Sequence, residues 1–257
     1  MKCVVFGLLG LFLWDASAAA QYTFVVTEHK GGWSSTTQGF ADGTKFRLEP
    51  QESKTAENPQ GMYAISVDSG RTIYLVNPAR QEFARVDFQT STAKAAEKLK
   101  ALMKQMNLQI ESPKVETVLT EPGETLDGHP TRRYKLRISY SMHYVKANVR
   151  HPYVEYQDLW MASDIEQAGA SNLLIHFRPS GDPRIDGAWE RELAQIPGFP
   201  LRQVTLRTEV NEDGNSSVSR ISWDITGVRT GPVPASLFVL PTGYKEVAAQ
   251  ETESVSP

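Results

Sequence analysis

The amino-acid sequence predicts a mainly β fold of the α+β class, in which one antiparallel sheet carries helices on one face. Short stretches of alternating apolar and polar residues recur along most of the chain. Turn residues such as Asp42-Gly43 and Asp68-Ser69-Gly70 separate these stretches, as they do in hairpins. Helical patterns fall between blocks of strands, which is not typical of βαβ units. We expect roughly eleven strands and about three helices in one domain.

The composition of the chain limits the classes of protein to which it can belong. The chain has 257 residues, of which 40% are hydrophobic, so it is long enough to bury a sizeable core. Its formal net charge of −3 argues against a dedicated nucleic-acid binder, which carries a basic excess. A single long apolar run argues against a membrane protein with several spans.

That apolar run has the form of a secretory signal peptide. Lys2 precedes the apolar stretch Val4 to Trp14, and small residues follow up to Ala20. Cleavage after Ala20 is favoured, with Ala16-Ser17-Ala18 as the alternative motif, so residues 1–20 are the predicted signal. Cys3 lies before the apolar run and cannot become a lipid-modified first residue. The protein is therefore predicted to be periplasmic or secreted, without a lipid anchor.

Five short strands are predicted before the first helix, and the helix then follows. Thr90, Ser91 or Thr92 is the predicted cap, and apolar residues recur at helical spacing up to Met106. The other side of this helix carries Lys94, Lys98, Lys100 and Lys104. A core-packing apolar stripe is the favoured interpretation, and peripheral contact with an anionic membrane is the alternative. The strands are Tyr22 to Glu28, Lys45 to Leu48, Met62 to Val67, Thr72 to Val76 and Phe83 to Val86.

The clearest strand pattern in the chain begins at Thr131. Six apolar residues point to one face and six polar residues to the other, which predicts one buried and one wet face. Tyr153 to Met161 is the predicted antiparallel partner. Further elements are predicted at Lys114 to Thr120, in a helical segment from the capping box Ser163-Asp164-Ile165-Glu166, in a helix at Ala188 to Gln195, and in strands at Gln203 to Val210 and Ser219 to Ile225. The polar tail, residues 248–257, is predicted to be disordered.

Several ordered motifs give the chain a family resemblance. They are Ile73-Tyr74-Leu75-Val76-Asn77-Pro78, Asp127-Gly128-His129-Pro130 with Arg133-Tyr134, Asp158-Leu159-Trp160-Met161-Ala162-Ser163-Asp164, Pro197-Gly198-Phe199-Pro200-Leu201, and Phe238-Val239-Leu240-Pro241-Thr242-Gly243-Tyr244-Lys245. With them the chain resembles the bacterial lipoprotein-carrier superfamily of LolA and LolB, and more specifically an uncharacterised domain-of-unknown-function family of that fold. The resemblance implies a strongly curved half-barrel sheet over residues 21–247. It also implies helices over the concave face, room there for acyl chains, and no catalytic residue.

The predicted ligand site is the apolar inner face of the sheet. Aromatic and methionine side chains suit an adaptable lipid pocket, although ordinary core packing is the alternative for each of them. The predicted function is an exported, non-enzymatic protein that shelters a lipid or other apolar ligand. The alternative is an envelope structural or interaction protein whose hollow is plugged by its own helices and which binds a protein partner. The candidate lining residues are Tyr134, Leu136, Ile138, Tyr140, Met142, Tyr144, Trp160 and Trp223.

Enzyme motifs do not appear in the sequence. It has no nucleophile elbow, no phosphate-binding loop and no dinucleotide fingerprint. His143, His151 and Glu155 offer a possible metal site across a hairpin, but their spacing is generic. We therefore predict no catalytic residue, no metal and no cofactor.

Export yields the first testable prediction. N-terminal sequencing of protein released from the envelope by osmotic shock should begin near Gln21, and the mass should show no attached lipid. An intact Met1 in a cytoplasmic fraction would contradict it.

Overall fold

The computed structural model describes residues 21–51, 61–165, 174–175, 180–210 and 215–249. Within these ranges, twelve strands form one sheet, against roughly eleven predicted, and ten of the twelve had been located in the sequence. The same ranges contain two α-helices where about three were predicted. The missing helical segment was expected from Ser163, and residues 166–173 and 176–179 of that region lie outside the described part. The predicted turn at 211–214, residues 250–257 of the predicted tail and the predicted signal also lie outside it.

The strands are β1 (Gln21–Lys30), β2 (Trp33–Asp42), β3 (Lys45–Pro50), β4 (Tyr63–Ser66), β5 (Thr72–Asn77), β6 (Glu82–Asp87), β7 (Leu108–Leu126), β8 (His129–Tyr144), β9 (Val149–Ala162), β10 (Phe199–Val210), β11 (Ser216–Thr230) and β12 (Lys245–Val247). The α-helices are α1 (Phe88–Gln105) and α2 (Pro183–Leu193), and a 3₁₀ helix covers Ala235–Phe238. Across the sheet the order is β12-β6-β5-β4-β3-β2-β1-β11-β10-β9-β8-β7. Every neighbouring pair is antiparallel except β12 and β6, which are parallel.

The connection between β6 and β7 shows that the sheet is strongly curved. Nine strands separate β6 from β7, so a flat sheet would place them about 48 Å apart. Helix α1 joins them with 18 residues and is therefore about 27 Å long. The sheet can meet both ends of α1 only by bending into a half barrel. Curvature, antiparallel pairing and the β-rich class thus agree with the prediction.

Helix α1 begins earlier than predicted. Its cap is Asp87, whose carboxylate accepts a hydrogen bond from the Thr90 backbone N–H at 2.7 Å. The two threonines and the serine predicted as caps therefore lie inside the helix. The carboxylate of the residue just before the helix instead satisfies a free backbone N–H of the first turn. No residue of α1 is buried, so its apolar stripe is only partly covered.

Helix α2 also begins earlier than the predicted Ala188 start. Asp182 caps it by accepting from the Arg184 N–H at 2.9 Å, and Pro183 occupies the first helical position, where no N–H is needed. Ile185, Trp189 and Leu193 fall one turn apart and are all buried. We call the sheet face that α2 covers the inner face, and the opposite one the outer face.

Two strands were missed at the sequence level. The β2 sequence is mostly polar and small, and β12 has only three residues, so neither shows a clear period of two. Strand β2 forms because β1 offers it a partner over ten residues, from Gln21 opposite Asp42 to Lys30 opposite Trp33. Pairing with β1 therefore stabilises β2, although the β2 sequence by itself shows no clear strand pattern.

The core lies between the inner face and α2. Phe199 contacts the Tyr22 and Phe24 rings, with centroids 6.1 and 5.8 Å apart respectively. The Phe24 ring lies over Gly39 on the neighbouring strand, so closely that a Cβ at Gly39 would overlap it. A glycine is therefore required at this one position for close packing.

The exposed edge of β7 is protected by α2. The Glu192 carboxylate accepts hydrogen bonds from the Thr117 backbone N–H at 3.0 Å and from its hydroxyl at 2.7 Å. Arg184 donates to the Ile110 carbonyl at 2.9 Å. Three register irregularities also interrupt β7. Such features are typical of protected sheet edges.

Two glycine substitutions test this packing. Gly39→Ala should lower the free energy of unfolding by about 1–3 kcal/mol, because the new methyl group overlaps the Phe24 ring. Gly187→Ala in α2 is the matched control, since its Cβ would meet only the Arg191 guanidinium at 3.5 Å. That control should be neutral or raise stability by up to about 1 kcal/mol through helix propensity. Urea titration of both variants measures the difference, and equal effects would contradict the packing.

Candidate functional site

The predicted row on β8 lies on the inner face, but half of it is core. Tyr134, Leu136 and Ile138 are buried in the cluster that α2 covers. Tyr140 and Met142, further along the strand, are only partly buried, as is Tyr144. The alternation prediction is thus confirmed, and β9 is confirmed as the partner strand. For the first three residues the geometry is that of packed core.

Trp160 was expected on the inner face, and the structure places it on the outer face. It pairs with Arg133 on β8, whose side chain points away from the Tyr134 row. The Arg133 and Arg202 guanidinium groups lie 5.2 and 5.6 Å from its ring centroid. Trp223 does lie on the inner face and is fully buried, and its indole N–H donates to Gln203 at 2.9 Å. The eight candidates therefore do not form one lining.

A buried ionic cluster, which the sequence reasoning missed, lies beside the half-buried end of the β8 row. Arg207 donates to the Glu155 carboxylate at 2.9 Å, and both side chains are largely buried. Tyr153 and Gln157 donate to the same carboxylate, each at 2.6 Å. Strand alternation places Tyr153, Glu155 and Gln157 on one face, which was the available signal.

The electrostatics of this cluster raise the pKa values of Tyr153 and Arg207. Burial, followed by the adjacent Glu155 charge, raises the pKa of Tyr153 far above its usual range, so the phenol remains a donor. Burial by itself would lower the pKa of Arg207, but Tyr153 and Glu155 outweigh this and raise it. The Tyr140 ring stacks on Tyr153 at a centroid distance of 4.4 Å and covers the cluster. This buried, hydrogen-bonded cluster links β9 to β10 through the Arg207–Glu155 ion pair.

A second part of the inner face is left open. We call it the open inner surface, and it consists of Ala64 on β4, Ile73 and Leu75 on β5, and Ala84 and Val86 on β6. Cross-strand pairing puts all five on one face, and none of them is buried. Leu75, at its centre, is 39% exposed. The sequence singled out these strands but not this face, because the row on β8 shows a longer apolar run.

The outer face of the same strands is covered. Ile65 on β4 and Val76 on β5 are fully buried there, and the 3₁₀ helix contributes the buried Phe238. Arg47 on β3 donates to the Leu237 carbonyl at 3.1 Å and lies over the Tyr63 ring at 3.6 Å. On these strands the outer face is therefore covered, whereas the inner face is left partly exposed.

Helix α1 spans the gap between the two ends of the curved sheet. Its half-buried stripe consists of Thr92, Ala96, Leu99 and Met103. Leu99 and Met103 pack against Gly181, which precedes α2. Because α1 starts where β6 ends, it begins beside the open inner surface, and Phe88 there is 43% exposed. Among the described residues, no helix is long and apolar enough to cross a membrane.

The possible metal site across the β8–β9 hairpin does not assemble. His143 faces outward and binds Glu111 at 2.8 Å, whereas His151 faces inward against the Tyr144 ring. Adjacent strand pairing sets these two imidazoles on opposite faces. Within the described ranges, no group of three metal-ligating side chains is found.

Comparisons with known proteins give distant likenesses. No family model and no curated protein matches the chain, while 27 chains among the solved structures do. A DUF1329 family protein from Desulfovibrio piger is 9% identical, with 87% of this chain and 91% of that chain covered and a TM-score of 0.35. MucB in complex with MucA(peri) is 12% identical over 90% of this chain and 57% of that one, with a TM-score of 0.36.

The Pseudomonas aeruginosa MucA/MucB complex gives 14% identity, coverage of 85% and 55%, and a TM-score of 0.36. The chain thus spans just over half of the matched chain in both of these complexes. Scores below 0.5 do not establish a shared fold, so these likenesses carry no argument about function. The resemblance to lipoprotein carriers remains a prediction, while the curved antiparallel sheet that it implied is present.

The ionic cluster yields a stability prediction. Arg207→Met should destabilise the protein by roughly 3–5 kcal/mol, because the Glu155 carboxylate is left buried without its cation. Adding Glu155→Gln should restore more than half of that loss, since the uncompensated charge is removed. Arg150→Met removes an arginine from a half-exposed pair with Glu111 and should cost less than about 1 kcal/mol. Denaturant unfolding of the four proteins tests the cluster, and a double variant as unstable as Arg207→Met would contradict it.

Proposed function

We propose that the protein is an exported, non-enzymatic binding protein that shelters a lipid acyl chain or another apolar ligand on the open inner surface. One observation carries the proposal. Apolar side chains remain uncovered on the inner side of β4–β6, while the outer side of the same strands is packed. A contiguous apolar surface inside a curved sheet is the usual form of a small-molecule site.

The side chains of this surface define the chemistry of the ligand. Ala64, Ile73, Leu75, Ala84 and Val86 are hydrocarbon throughout, and Ser66 at its border is fully buried. Among the charged residues of these strands, Arg85 and Asp87 belong to the opposite face, while Glu82 shares the inner face at the start of β6, opposite Asn77. An uncharged, flexible chain therefore fits, and its burial yields about 25 cal/mol for each Å² of apolar area.

The same inventory supports a role without catalysis. Catalysis of proton transfer or nucleophilic attack requires a titratable or nucleophilic group within reach of the substrate. The open inner surface carries none among the five residues that define it. The ionic cluster around Glu155 is internally satisfied and covered by the Tyr140 ring.

Leu75→Glu tests the proposed site. A carboxylate at the centre of the surface should lower the affinity for a fluorescent fatty-acid probe by about tenfold or more, because a bound chain would desolvate it. The melting temperature should change little, since Leu75 is 39% exposed. Probe fluorescence titration gives the affinity, and calorimetry gives the melting temperature.

Leu206→Glu is the matched control. Leu206 is also a strand leucine, is 37% exposed, and faces outward on β10. Its substitution should leave probe affinity unchanged. Wild-type protein that takes up no apolar probe would refute the ligand proposal and leave the interaction-protein alternative, in which the surface receives a protein segment. Equal loss of affinity in Leu75→Glu and Leu206→Glu would mean that the probe binds outside the open inner surface.

A further inference from the structure

Four exposed apolar side chains lie near one end of α1, away from the open inner surface described above. Leu102 and Met106 lie at the C-terminal end of the helix, and Val145 and Val149 flank the turn between β8 and β9. Their exposed fractions run from 39% to 46%. We call these four residues the rim patch.

Backbone geometry holds the two halves of the rim patch together. The Val145 N–H donates to the carbonyl of Asn107, the residue after Met106, at 3.0 Å. Two residues of the link take a left-handed conformation, Asn107 with φ 53° and Asn148 with φ 50°. Asparagine tolerates that conformation better than most residues, so both turns can form without strain.

The charges around the rim patch are mostly basic. Lys104, Lys146 and Arg150 are all exposed there, on the helix and on the turn. The acidic groups nearby are Glu97, which lies 3.6 Å from Lys100, and Glu111, which binds Arg150 at 2.9 Å. This local basic excess stands on a chain whose formal net charge is −3. The rim patch therefore complements an anionic partner.

We propose that the rim patch docks the protein reversibly on an anionic lipid surface. Apolar side chains ringed by lysine are typical of segments that lie in the bilayer interface, where the lysines attract anionic headgroups. Protein interfaces, in contrast, are depleted in lysine. Because the apolar contact is small, membrane binding depends on both the apolar side chains and the surrounding lysines, and it is weak at high salt. This inference does not require a ligand on the open inner surface.

Vesicle flotation tests the docking with the chain from Gln21 onward, which contains every described residue. The vesicles are phosphatidylcholine alone, or an equal mixture with phosphatidylglycerol. We expect binding to the mixed vesicles, weak binding to the neutral ones, and loss of binding when salt rises from about 0.1 to 0.5 M.

Met106→Ser with Val145→Ser should reduce the bound fraction about fivefold or more, because the inserted apolar area is lost. Lys104→Gln with Lys146→Gln should reduce it similarly at low salt and weaken the salt dependence. Val218→Ser with Val239→Ser is the matched apolar control, since those valines are 69% and 61% exposed and lie elsewhere. Lys245→Gln is the control for charge. Both controls should bind as the wild type does.

Wild-type protein that fails to float with the anionic vesicles would overturn the proposal. So would apolar variants that bind as well as their control, which would mean adsorption by charge alone. Melting temperatures equal to the wild type's exclude unfolding as the cause of lost binding. Leu75→Glu should float normally, so failure of the ligand proposal and failure of this one give different results.

Discussion

The curvature imposed by α1 is the constraint on which the rest of the architecture depends. A helix about 27 Å long joins two strands that a flat sheet would hold about 48 Å apart. The twelve strands must therefore bend until their ends approach each other, and bending creates an inner face. Burial of α1 itself contributes little to this arrangement, because none of its residues is buried. Its position is set by the two strands it connects and by the packing of Leu99 and Met103 on Gly181.

That inner face is divided between two uses. Under α2 it is filled by Trp189 and its neighbours, and the indole N–H of Trp189 donates to Gln157 at 2.9 Å. Gln157 in turn donates to Glu155, so the polar cluster and the apolar core are joined and rigid. Away from α2, the strands β4–β6 carry apolar side chains that remain partly exposed. The inner face thus has a packed part under α2 and a partly exposed part on β4–β6.

The candidate site shows which features can be predicted from the sequence and which cannot. The alternation from Tyr134 to Tyr144 was interpreted as a ligand lining, yet its first half is core because the buried stripe of α2 lies there. Leu75 appeared only as part of a short strand, although it marks the centre of the open inner surface. Nothing local distinguishes an apolar residue that a helix will cover from one that no helix reaches.

The sequence by itself determined the β-rich class, the alternation of β8 and its pairing with β9, because a period of two follows from the geometry of a single strand. It also indicated a helix at Ala188 to Gln195, but the buried stripe of α2, which includes Ile185, begins before that range. Only the tertiary structure decided that Trp160 faces outward, because strand register fixes which face its side chain joins. Only the tertiary structure decided which half of the inner face is filled, because an amphipathic helix specifies that it must be buried but not against which strands.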